Sequence, residues 1–133
     1  MLRVLLVDDF RKDLEILSEA FEHRGAEVTA AASDSAAYRA LENDSRGFDL
    51  LVTDVDLGAG TTGFDVARAA RQYLPGLPVV YMTAFDISMG RHAVPHSLAL
   101  RKPVRLADIA DAALDFFARE AGDEDAAGST LGG

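Results

Sequence analysis

A chain of 133 residues is long enough to bury one substantial core and too short to add a substrate-reading domain to a catalytic one. Its 22 acidic side chains against 13 basic ones give a formal net charge of −9, which repels phosphate backbones and anionic membrane surfaces and argues against nucleic-acid or membrane binding. The absence of cysteine, of any apolar run long enough to span a bilayer and of a signal-peptide pattern ahead of Asp8 leads us to expect a cytoplasmic protein.

Taken in chain order, short apolar runs alternate with amphipathic segments. RVLLVD at 3–8 reads as a first strand, and Leu14, Leu17, Ala20 and Phe21 then recur at helical spacing before Gly25 ends the helix. EVTAA at 27–31 is a second strand, followed by a helix capped by Ser33 and carrying Ala36, Ala37, Ala40 and Leu41. DLLVTD at 49–54 is the third strand, and a helix from about Phe64 runs through Ala67, Ala70 and Arg71 to the breaker LPGLP. PVVYMT at 78–83 and SLALRK at 97–102 are the fourth and fifth strands. A last helix over 105–119 places Leu106, Ile109, Ala113 and Phe116 on one stripe. The closing EAGDEDAAGSTLGG, residues 120–133, is acidic and Gly-rich and reads as a disordered tail to a single domain at 1–119.

Such alternation, with strands apolar on both faces, predicts an α/β fold in which a parallel sheet is covered by helices on both sides. Ligands then bind at the carboxyl ends of the strands. Asp8 and Asp9 follow the first strand, Asp54 ends the third, Thr83 the fourth, and Lys102 with Pro103 follows the fifth. Each has an ordinary explanation alone: Asp9 as a helix cap, Asp54 as the start of a loop, Thr83 as a strand residue, Lys102 as a solvated edge. Together they bring three carboxylates, a hydroxyl and an ammonium to one edge. Carboxylates so crowded repel unless a hard dication sits among them, and Mg²⁺ held by Asp8, Asp9 and Asp54 suits that set. An Asp54 oxygen could then attack a phosphoryl group whose charge Lys102 and Thr83 help to stabilise, giving an aspartyl phosphate.

With VDD at 7–9, TD at 53–54, TA at 83–84 and KP at 102–103, the chain resembles a response-regulator receiver domain over about residues 2–119. The resemblance implies a flavodoxin-like (βα)5 doubly wound sheet of strand order 2-1-3-4-5. It implies that Asp54 accepts a phosphoryl group from a histidine kinase or phosphotransfer protein of a phosphorelay, and that the chain catalyses nothing beyond its own phosphorylation and dephosphorylation. Asp9, Asp54 and the backbone carbonyl of Asp56 would ligate Mg²⁺, with Asp8 acting through water, while Thr83 and Lys102 contact the phosphoryl oxygens. A cis peptide between Lys102 and Pro103 is also implied. On this reading the chain is a stand-alone receiver whose docking region is the first helix and the loops around Asp54 and Pro103.

The chain departs from the family pattern in several places. Ala99 stands three residues before the lysine, where a switch aromatic is usual. FDISMGRHAVP, which includes Pro95, leaves room only for a short or irregular fourth helix. LGAGTTG replaces the usual proline-bearing loop after the acceptor, and the Asp56 carboxylate would either hold a metal-bound water or point to solvent.

Three other readings compete. GAGTTG fits the G-x-G-x-x-G spacing of dinucleotide loops but follows the third strand, beside acidic Asp54 and Asp56, so Gly58, Gly60 and Gly63 are better explained as a tight turn. Asp54-Val55-Asp56 resembles the DxD of haloacid-dehalogenase-type phosphatases, yet Asp108, Asp111 and Asp115 ride on the last predicted helix. A pseudo-receiver that binds partners without phosphorylation would account for Ala99 and the shortened fourth-helix region.

Overall fold

Five strands, numbered along the chain, pair in parallel in the order 2-1-3-4-5, as the resemblance implied. The computed structural model describes residues 1–44, 46–58, 61–84, 92–102 and 105–132, with side chains described up to Gly122. In chain order the elements are β1 (Arg3–Val7), α1 (Arg11–His23), β2 (Glu27–Ala31), α2 (Asp34–Asn43), β3 (Leu50–Asp54), α3 (Gly63–Tyr73), β4 (Val79–Thr83), β5 (Ser97–Arg101) and α4 (Leu106–Gly132). Four helices are thus present among the described residues. The short or irregular helix expected between β4 and β5, and the cis bond at Pro103, fall largely or wholly on residues outside them.

Strand residues alternate between two faces, and both faces are apolar because each meets helices. Val4, Leu6, Leu50, Val52, Val80 and Met82 pack with Leu14, Leu17 and Phe21 of α1 and Ile109, Ala110 and Ala113 of α4. On the opposite face, Leu5, Val7, Leu51, Val79 and Tyr81 pack with Ala37 and Leu41 of α2 and Phe64, Ala67 and Ala70 of α3. The helical stripes read from the sequence are therefore the surfaces that close the two layers.

Helix boundaries follow local hydrogen bonding. Ser33 caps α2 by accepting the Ala36 N–H, as expected. Thr62 and Asp65 form a reciprocal capping box at the start of α3. The cap position of α1 is Phe10 rather than Asp9 and has no side-chain cap, so the Asp9 carboxylate is not used to end the helix. Gly25, at φ +88°, turns the chain out of α1 where a side chain would be strained. The tail, read as disordered from its composition, instead continues α4 to Gly132. Extending a formed helix adds a hydrogen bond per residue without a new nucleus, and Glu120, Ala121, Glu124, Ala126 and Ala127 are good helix formers.

At the amino ends of β1 and β2, Arg3 binds several partners at once. Its guanidinium bonds the Glu27 carboxylate at 3.1 Å, the Gly47 carbonyl and the Asp44 carboxylate, and lies 5.1 Å from the Phe48 ring centroid. Its backbone N–H donates to Asp49 at 2.8 Å. Arg3 thus joins β1 and β2 to the connection leading into β3.

At the other end of the sheet, the Gly63 N–H donates to the Val55 carbonyl at 2.8 Å, drawing the start of α3 against the end of β3. A Cβ at Gly63 would overlap the Asp54 carbonyl oxygen. Backbone cannot yield there as a flexible side chain would, so Gly63→Ala should destabilise the fold by about 1–3 kcal/mol, measured by urea unfolding against Gly76→Ala, which meets open space.

Candidate functional site

Strand register assembles the site. Val7 of β1 pairs with Thr53 of β3, so Asp8 follows β1 beside Asp54 at the end of β3, and Asp54 in turn pairs with Met82 of β4. Thr83 ends β4 opposite Arg101 of β5, which sets Lys102 one residue beyond. Asp9, Phe10, Asp13, Asp54, Val55, Asp56, Thr83, Ala84 and Lys102 line a cavity of about 260 Å³ at this edge.

One oxygen each from Asp8, Asp9 and Asp54 can be chosen so that all lie within 4.8 Å of one another. Asp8 is fully buried, with one oxygen accepting the Phe10 N–H at 2.9 Å and the other the Lys102 ammonium at 2.8 Å. Lys102 also donates to Asp13 at 3.2 Å and lies 3.5 Å from Asp54. Thr83 is buried in the cavity wall, and its carbonyl accepts the Lys102 backbone N–H. The Asp56 carboxylate accepts the Gly58 N–H at 3.0 Å, which shapes the loop at a residue whose φ is +71°. Asp56 is exposed, as the solvent-facing alternative had it, and this bond is an added role for its side chain.

Burial is the main force on the Asp54 carboxyl. With the charges of Asp8 and Asp9 it outweighs Lys102 and the Asp56 backbone bond, and pushes the pKa up from 3.8 to about 6. Burial alone would lower the Lys102 pKa, but the Asp8 hydrogen bond and the nearby Asp54 charge reverse that and raise it. One ammonium thus serves several carboxylates, and the excess negative charge fits a hard cation with oxygen ligands.

Sequence reasoning located Asp8, Asp9, Asp54, Asp56, Thr83 and Lys102, and the structure brings them together. It missed Asp13, whose signal was its place in the first turn of the helix that follows Asp8 and Asp9. The acids a phosphatase would need are elsewhere: Asp111 pairs with Arg24 at 2.6 Å, Asp115 lies 3.9 Å from Arg119, and neither these nor Asp108 lines the cavity. Of the glycine loop, the described residues Gly58 and Gly63 have turn and packing roles, and Gly60 lies outside the described residues.

The family model for the response regulator receiver domain matches residues 4–113. The chain belongs to this family. The receiver is 30% identical over 112 residues to the response regulator receiver protein CpdR of Brucella abortus, covering 82% of this chain and 91% of that protein. A response regulator receiver protein from Sinorhizobium medicae superposes with a TM-score of 0.80 at 28% identity, over 90% of this chain and 96% of the other. The response regulator TrrA from Thermotoga maritima, whose structure is a complex with Mg²⁺ and BeF, shares the fold with a TM-score of 0.70 at 22% identity, over 87% and 99% of the two chains.

Ala99, where the resemblance led us to expect a switch aromatic, pairs in register with Tyr81 on β4. Tyr81 is fully buried, its ring 5.1 Å from that of Phe64, and its hydroxyl accepts the Val94 N–H at 3.2 Å. The aromatic on this face of the sheet is thus on the neighbouring strand and is already turned inward.

The raised Asp54 pKa gives a pH signature. Between about pH 4 and pH 6 the folded metal-free chain holds a proton that the unfolded chain has lost, so this group's contribution makes the fold more stable as pH falls through that window. Asp54→Asn should therefore be more stable than wild type above pH 6, by up to about 3 kcal/mol, with the difference shrinking towards pH 4 in chelator-treated urea titrations.

Proposed function

We propose that this receiver accepts a phosphoryl group on Asp54 from a histidine kinase or histidine phosphotransfer protein and signals through contacts with a protein partner. The observation that carries the reading is the half-buried Asp54 carboxylate, which shares one cavity with Lys102 and Thr83 and one carboxylate cluster with Asp8 and Asp9. An Asp54 oxygen attacks phosphorus, the bond from phosphorus to the donor nitrogen breaks, and its electron pair remains on the imidazole. Lys102 and the Thr83 hydroxyl then stabilise charge on the phosphoryl oxygens.

The donor set fits Mg²⁺: Asp9, Asp54 and the Asp56 carbonyl would hold it, with Asp8 acting through water because both its oxygens already have partners. When bound, the ion would offset charge on the carboxylates and the incoming phosphoryl group. The complex of TrrA with Mg²⁺ and BeF supports this reading by fold likeness. Phe10, exposed at the cavity just before α1, and Ile16, exposed farther along α1, offer apolar surface for a partner. The reading assigns no turnover beyond the chain's own phosphorylation and dephosphorylation, a cytoplasmic place, and no direct contact with nucleic acid or membrane. Among the described residues, no helix is long and apolar enough to cross a membrane.

Incubation with acetyl phosphate and Mg²⁺ should add one phosphoryl group, mapped to Asp54 after trapping the acyl phosphate. Labelling should be lost with chelator or in Asp54→Ala, shifted to higher Mg²⁺ concentration by the weaker metal binding of Asp9→Ala, and slowed in Lys102→Ala with the fold retained. Undiminished labelling of Asp54→Ala would overturn the assignment, and steady turnover of added phosphomonoesters would favour a phosphatase.

A further inference from the structure

Lys102 has three N–H donors, and their placement is uneven. It hydrogen-bonds Asp8 at 2.8 Å and Asp13 at 3.2 Å, whereas Asp54, the proposed acceptor, is the farthest of the three carboxylates at 3.5 Å. Asp8 is buried and anchored by the Phe10 N–H, so it has little freedom to move. Asp13 differs: it projects from the first turn of α1, its side chain is 25% exposed, and it falls outside the carboxylate trio that could hold a cation. Its contact with Lys102 is therefore the bond around the ammonium that can be exchanged at least cost.

We propose that Asp13 is a positioning residue that tethers the Lys102 ammonium away from Asp54 until a phosphoryl group arrives there. This rests on Asp54 being the acceptor. The phosphoryl oxygens on Asp54 compete with the Asp13 carboxylate for one N–H donor, while Asp8 keeps its own. Loading then releases Asp13, so the first turn of α1 loses an ion pair at the moment the acceptor is filled. The event at the end of β3 is thereby felt on a helix that carries exposed Phe10 and Ile16 at and beyond its start.

The test uses two readouts on the full chain. Lys102 and Lys12 are the only lysines, so the acylation rate of Lys102 relative to exposed Lys12, mapped by peptide mass, reports the tether without any phosphoryl chemistry. Asp13→Asn should raise that ratio and speed loading by phosphoramidate and Mg²⁺, each by about three- to fivefold, as expected for a part-exposed ion pair. Asp13→Glu, which restores the charge, should return both towards wild type. Glu15→Gln removes a charge from an exposed site on the same helix that does not line the cavity, and should change neither.

An unchanged acylation ratio in Asp13→Asn, with melting behaviour retained, overturns the tether. A raised ratio with unaltered loading overturns its effect on phosphoryl transfer, and equal acceleration by Glu15→Gln assigns the effect to net charge alone. Failure of wild type to load counts instead against Asp54 as acceptor, while the acylation rates still decide the tether.

Discussion

Too many carboxylates around too few cations is the constraint on which this molecule depends. Asp8, Asp13 and Asp54 gather around a single ammonium, Lys102, with Asp9 beside Asp8 and Asp54, and burial together with the charges of Asp8 and Asp9 raises the pKa of Asp54. A site evolved only for stability would replace some of these charges with apolar groups, because buried ion pairs seldom outperform good packing. Retaining them leaves a site whose energy depends strongly on what enters it, whether a proton, a cation or a group with its own charge.

The sheet makes the crowding possible. Parallel strands bring all their carboxyl ends to one edge, and β1 and β3 are neighbours, so Asp8 and Asp54 are adjacent despite their separation in sequence. The two apolar layers hold that edge against the repulsion it generates. Gly63 adds a further restraint, since the start of α3 rests directly on the Asp54 peptide group. The acceptor is thus positioned by backbone packing as much as by its side-chain neighbours.

What the sequence reveals of this arrangement depends on the kind of signal each residue carries. Asp8, Asp54, Thr83 and Lys102 were legible because each stands at or just past the end of an apolar run, where strand topology fixes its place. Asp13 was not, because an acidic residue in a first helical turn already has an ordinary explanation in the helix dipole. Phe10 rather than Asp9 takes the cap position of α1, where Asp8 accepts the Phe10 N–H in a local turn that an Asp next to a second Asp does not single out in sequence. The continuation of α4 through 120–132 was hidden by composition: the same acidic, small-residue stretch suits a solvated coil or the extension of an existing helix.

Arg3 gives the sheet a mechanical polarity. By joining β1, β2 and the connection into β3 at their amino ends, it clamps the edge remote from the carboxylates. A sheet held this way behaves as a beam fixed at one end. The same clamp makes the amino-terminal edge a stable reference against which small movements of the site loops would register.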